Sequence, residues 1–91
     1  MNLSQLYYFR KLAEVKHYTH AAEELFISQP TLSNSISQLE RELGIPLFER
    51  EGRKIKLTKY GEEFYQYATE AVNALEKGIA LAHEHAGSPT G

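Results

Sequence analysis

The chain has 91 residues, 42% of them hydrophobic, a formal net charge of −2 and no cysteine. That length holds one small domain with a modest core, and the composition excludes wholesale disorder. The missing thiols exclude disulfides, thiolate catalysis and cysteine–zinc sites, and no apolar run or signal-peptide core marks a membrane span or export, so a cytoplasmic location is expected.

A first helix is expected from about Asn2 or Ser4 to Val15, with Leu6, Phe9, Leu12 and Ala13 as its buried stripe. Lys16-His17-Tyr18 breaks that pattern. Thr19 then offers an N-cap for a short second helix, His20 to Phe26, in which Ala21 and Ala22 admit a close neighbour and Leu25 packs inward.

The third helix carries the most information. Ser28 can cap it, and Pro30 in its first turn removes no needed hydrogen bond. Apolar residues at 32, 36, 39 and 43 recur at 4-3-4 spacing, which gathers them on one face, and Gly44 suits the C-terminal stop. The opposite face begins with Gln29, Thr31, Ser33, Asn34 and Ser37, all uncharged and able to donate or accept hydrogen bonds. Solvated faces are usually charged, whereas Ser, Thr, Asn and Gln suit the reading of base edges in a groove. Taken alone, the segment also fits a polar surface helix that touches nothing. Two short helices joined by a few residues, the second with a polar leading face, form the helix-turn-helix pattern.

Next come Pro46-Leu47-Phe48-Glu49-Arg50, a Glu51-Gly52 turn, and the alternating Lys54-Ile55-Lys56-Leu57. These read as two short strands of a hairpin that leans on the helices through Leu47, Phe48 and Leu57. Positive charge is concentrated here: Arg50, Arg53, Lys54, Lys56 and Lys59 face the single acid Glu51. The remaining third is acidic, with Lys77 against Glu62, Glu63, Glu70, Glu76 and Glu84.

Thr58 is the expected N-cap of a long last helix reaching about Ala86, roughly 43 Å. Phe64, Ala68, Ala71, Leu75, Gly78 and Ala82 follow a 4-3-4-3-4 spacing, with Tyr67, Ala74 and Ile79 beside them. Tyr60, Phe64 and Tyr67 are expected to pack on the first helix, and the rest of the stripe to pair with another chain. The dimer set is therefore Phe64, Tyr67, Ala68, Ala71, Leu75, Ile79 and Ala82. Residues 87–91 read as a flexible end.

The run from Asn2-Leu3-Ser4-Gln5-Leu6 to Phe9, then Tyr18-Thr19-His20-Ala21-Ala22-Glu23-Glu24-Leu25 and Ile27-Ser28-Gln29-Pro30-Thr31-Leu32-Ser33, closely resembles the LysR-type transcriptional regulators. So do Leu39-Glu40, Leu43-Gly44, Pro46-Leu47-Phe48-Glu49-Arg50 and Leu57-Thr58-Lys59-Tyr60-Gly61-Glu62. The resemblance covers about residues 2–85. It implies a mainly α fold: a winged helix-turn-helix of three helices and a two-stranded wing, then a long dimerisation linker helix. The expected division is 1–57 (helix-turn-helix about 18–37, wing about 46–57), then 58–86. It further implies binding to double-stranded promoter DNA as a homodimer, and leaves a tetramer of the full-length protein open. The effector-binding domain of full-length members is not in these residues, so the chain reads as the DNA-binding portion of a longer regulator. A small-molecule effector is expected only through that domain.

Carried over by position, the DNA-binding residues are Ser28, Gln29, Pro30, Thr31, Ser33, Asn34 and Ser37 on the recognition helix. Arg50, Arg53 and Lys54 belong to the wing, where basic residues meet phosphates or enter the minor groove. Three positions depart from the family. Asn34 stands where Arg is frequent, which loses a charge and gains an amide able to pair with adenine. Ser35 replaces a longer polar residue, and Tyr60 replaces a small one. Arg41, between Glu40 and Glu42, reads as a surface ion pair rather than a DNA contact.

His17, His20, His83 and His85 have no cysteine or aspartate to complete a metal site, and no Ser–His–carboxylate relay is evident. No cofactor, metal, membrane partner or enzymatic activity is expected. The competing reading is a winged helix that dimerises and binds protein without touching DNA.

Overall fold

Caps written into the sequence set the helix boundaries. Asn2 and Gln5 form a reciprocal capping box, each side chain holding the other's backbone N–H, and α1 runs Leu3–Val15. It ends at Lys16, whose left-handed backbone (φ 61°) returns an N–H to the Leu12 carbonyl. The second helix, α2, spans Tyr18–Leu25 and starts two residues earlier than expected. His17, not Thr19, is its N-cap, its Nδ1 accepting from the His20 N–H at 3.4 Å. Phe26 lies beyond that helix, in the left-handed region (φ 58°) and almost wholly exposed. Ser28 caps α3, Gln29–Leu43, and Gly44 (φ 76°) closes it.

The structure, a computed structural model, describes residues 1–87, and its remaining elements are β1 (Phe48–Glu51), β2 (Lys54–Leu57) and α4 (Lys59–Ala86). Of the expected flexible end, residues 88–91 lie outside the described residues. Gly87 belongs to the helix terminus, with its N–H on the His83 carbonyl at 2.9 Å.

The strands pair antiparallel, Phe48 opposite Leu57 and Arg50 opposite Ile55. Gly52 (φ 64°) and Arg53 form the two-residue loop, and a positive φ at the first position alone fits a type II′ turn. The register puts Phe48, Arg50, Ile55 and Leu57 on the inner face. Glu49, Glu51, Lys54 and Lys56 lie on the outer one.

One core joins these elements. Phe9, Leu12, Leu32, Ile36, Leu39 and Leu47 are fully buried at its centre, with Ala21 and Ala22 where α2 approaches. Phe9 meets Phe48, Phe64 and Tyr65, with ring centroids 5.5, 5.3 and 6.3 Å away. Gln5 is buried as well, and Leu6, expected in the stripe, is only half-buried. The Gln5 oxygen accepts the Asn2 N–H and its amide reaches Gln38 at 3.5 Å, which removes the cost of burying it unpaired.

The last helix packs on this core only along its first turns. Thr58 caps it, donating to the Pro46 carbonyl at 2.7 Å and accepting the Gly61 N–H at 3.0 Å. Gly61 is required there by space: a Cβ would stand 2.1 Å from the Leu47 carbonyl oxygen. Gly61, Ala68 and Val72 are the buried positions. Ala68 therefore leaves the expected dimer set: at 2% exposed it already has its neighbours within the chain. Phe64 likewise turns inward onto Phe9. Tyr60 and Tyr67 do not pack on α1 as expected; both are exposed, and Tyr65 takes that place. The reason is angular: at 100° per residue, 61, 68 and 72 share a line that 60 and 67 miss. Beyond Val72 the helix runs free of the core, and the chain measures 56 × 25 × 19 Å. Its radius of gyration, 15.4 Å, exceeds the roughly 12 Å of a compact chain this long.

Candidate nucleic-acid interface

With Leu32, Ile36 and Leu39 holding α3 in the core, its remaining positions fall on three lines. Gln29 and Ser33 face the wing. Pro30, Asn34, Ser37 and Arg41 form the outermost ridge. Thr31, Ser35 and Gln38 face the start of α1.

The wing side is a cleft of about 520 Å³, lined by Gln29 and Ser33 of α3, by Lys16, His17, Tyr18 and Thr19, and by Arg50, Arg53, Glu49, Phe48 and Ile55 of the wing. The start of α2 thus supplies part of the floor, which the sequence had not indicated. Chain breaks and caps mark ends of elements, not what those ends come to face. His17, at its edge, stacks on His20 with ring centroids 4.3 Å apart. On the other side, Thr31, Asn34, Ser35 and Gln38 share a polar cleft with Asn2, Ser4, Gln5 and Tyr8. The structure therefore divides between two clefts a set of residues that the sequence presents as one face.

Ser28 acts within the helix: its oxygen accepts the Thr31 N–H at 3.2 Å, and the two hydroxyls are hydrogen-bonded at 2.7 Å. Gln29, Pro30, Thr31, Asn34 and Ser37 are exposed and Ser33 is half-buried.

Ion pairing divides the cations of the wing. Lys56 bridges Glu49 and Glu51 at 3.7 and 3.3 Å, and the hydrogen bond to Glu51 holds its ammonium above the ordinary lysine range. Arg50, Arg53 and Lys54 are exposed and make no ion pair within 4 Å among the described residues. Within the cleft, burial and then the Glu40 carboxylate push the Tyr18 hydroxyl up, against the opposing pull of Arg50.

Glu40 was read from sequence only as a neighbour of Arg41. In the structure its Oε2 accepts the N–H of Leu47 at 2.6 Å and of Phe48 at 3.3 Å. The third helix, α3, thereby holds the base of the wing. A second tie is the Ile55 N–H on the Lys16 carbonyl at 3.3 Å. The wing is held to α3 by the Glu40 side chain and to the α1–α2 junction by a backbone bond, where its own pairing is marginal for strands of four residues.

The model of the family described as "bacterial regulatory helix-turn-helix protein, lysR family" matches residues 3–62. The chain belongs to the LysR family. Among relatives, this LysR-family chain is 45% identical over 86 residues to the regulator BudR of Klebsiella aerogenes, covering 90% of itself and 60% of BudR. It is 42% identical over 81 residues to the regulator BenM of Acinetobacter baylyi, covering 89% of itself and 27% of BenM. It thus spans less than two thirds of these curated relatives. Among solved structures, a BenM DBD complex with catB site 1 DNA superposes with a TM-score of 0.90 at 40% identity, over 97% of this chain and 99% of that one. A CbnR DBD–DNA complex gives 0.84 at 32% identity, over 94% and 99%. The winged helix-turn-helix with its long last helix is therefore the LysR-type arrangement.

Among the described residues, no cluster of His, Cys, Asp or Glu is placed to hold a metal, and no helix is long and apolar enough to cross a membrane.

Proposed function

We propose that this chain is the DNA-binding portion of a LysR-type transcription regulator, binding promoter duplex sequence-specifically as a homodimer, with residues 1–57 as the reading unit and 58–86 as the linker. The observation that carries this reading is the cleft in which an uncharged, hydrogen-bonding α3 face meets the unpaired cations Arg50 and Arg53. A polar helix face can sit on base edges in the major groove while the wing takes phosphates or the minor groove. BenM and CbnR domains of the same fold have been crystallised on DNA, which supports the assignment.

Gln29 and Asn34 are the amides suited to adenine N6 and N7. Pro30, Thr31, Ser33 and Ser37 complete the surface, Ser28 orders the first turn, and Lys54 extends the wing's charge. For the linker, the buried line through Gly61, Ala68 and Val72 continues into Leu75, Ile79 and Ala82 past the end of the core. Tyr67 and Ala71 flank it. An apolar stripe that outruns its own domain suits a second copy of the helix. Regulation of transcription, rather than catalysis, and a cytoplasmic location are consistent with this reading.

Salt titration of binding to random and promoter-like duplexes tests it. Affinity should fall steeply with salt, and a folded dimer without affinity at low salt would defeat the proposal. Arg53→Ala should weaken binding on every sequence, whereas Gln29→Ala should relax preference at particular base pairs by about 1–3 kcal/mol. Equal losses by both variants on all duplexes would refute that division.

A further inference from the structure

Arg41 is not the surface ion pair that its acidic neighbours suggest. Glu40 is turned to the wing, where the Leu47 and Phe48 N–H groups occupy its carboxylate. Glu42 pairs with the N-terminal ammonium of Met1. Arg41 itself is exposed and has no carboxylate within 4 Å among the described residues. Both adjacent acids are engaged elsewhere, and the guanidinium stands beside a shallow groove of about 450 Å³ lined by Ser37, Glu40, Gly44, Ile45 and Pro46.

Its position on the helix is specific. Residues 34 and 41 are seven apart, so they share the outermost ridge within about 20°, with Ser37 between them. They are separated by roughly 10 Å along the axis. The major groove is about 12 Å wide, so when the first turns of α3 lie on its floor, a residue 10 Å further along comes level with the sugar–phosphate wall. Asn34 leaves the reading end of the helix without charge, and Arg41 is the only cation on α3.

Resting on the DNA-binding reading above, we infer that Arg41 clamps a phosphate bordering the major groove, restoring at the far end of the recognition helix the charge that Asn34 omits from its near end. Its guanidinium would donate to the phosphate oxygens and the Ser37 hydroxyl would stand within the same groove. A structural role competes: a cation in the last turn of a helix also complements the C-terminal dipole. The two roles differ in what they move. A dipole contact alters melting, whereas a phosphate contact alters the number of counterions released on binding.

The experiment measures duplex affinity of the 91-residue chain and of Arg41→Gln and Arg41→Lys across a salt series, on a selected site and on random sequence. The expected result is a loss of roughly 3- to 10-fold per protomer for Arg41→Gln on both duplexes, with the log–log salt slope shallower by about 1 per protomer and the melting curve nearly unchanged. Arg41→Lys should keep the slope, because a point charge still displaces a counterion. A wild-type slope and affinity in Arg41→Gln, with wild type binding normally, would overturn this inference alone. A loss confined to one base pair would overturn the phosphate assignment. Absence of binding by the wild type would defeat the DNA reading and this inference together.

Discussion

Residues 1–57 and the last helix meet the same physical requirement in opposite ways. The first region folds its apolar stripes inward on one another, leaving a surface of hydroxyls, amides and wing cations. The last helix buries Gly61, Ala68 and Val72 on that core, then carries its stripe outward with Leu75 37% and Ile79 41% exposed. Charge follows the same division. The strongest concentration of cations is on the wing, and the acids of α4 are mostly solvated, apart from Glu76, which meets Arg10 of α1 at 3.1 Å. Glu76 and Glu84 lie on the part of α4 that projects beyond the core, away from the cations of the wing. A net charge of −2 therefore says little about a partner until the charge is placed on elements.

The most disruptive substitution lies at the joint between the two regions. Gly61→Ala puts a Cβ against the Leu47 carbonyl, a backbone atom that cannot swing aside. A loss of about 3 kcal/mol is expected, which would lower the melting temperature of a domain this size by more than ~10 °C in a thermal scan.

A second test acts on the last helix alone. Leu75→Glu with Ile79→Glu should leave the fold of residues 1–57 intact by circular dichroism while shifting sedimentation to the monomer. Each apolar side chain withdrawn from an interface removes about 1.5–3 kcal/mol, so DNA affinity should drop at least roughly tenfold. A dimer that persists in this variant would place the contact on another face.

The smallest expected effect sharpens the reading side. Glu40→Ala leaves the Leu47 and Phe48 N–H groups without their carboxylate and should cost about 1–3 kcal/mol of stability. Amide hydrogen exchange should rise at those two residues before it rises elsewhere in the wing, and Glu40→Gln, which keeps one acceptor oxygen, should recover part of the protection. Unchanged exchange in Glu40→Ala would show that the hairpin holds its angle unaided.

Much of this organisation was legible from local chemistry. Ser28 and Thr58 as caps, Gly44 as a stop, the 4-3-4 period of α3 and the alternation of residues 54–57 each act within a few residues of themselves. Motif order extended the reading to the family. Errors gathered where distant segments decide. Tyr67 and Tyr65 are two residues apart and similar in chemistry, yet only the second faces Phe9, because residue 65 lies close to the buried line through 61, 68 and 72 and residue 67 points well away from it. Gln5 looks like a surface residue until Gln38 is beside it. Glu40 and Arg41 look like an ion pair until the wing base takes the first.

The sequence by itself determined the elements, their caps and the chemical character of each face, since those follow from backbone periodicity and from side chains bonding to their own helix ends. Tertiary structure decided which polar residues share a cleft, which carboxylate fixes the wing and where the apolar stripe of α4 runs out of core. These depend on how distant elements pack, through the largest buried side chains and the close approach of Gly61 to Leu47.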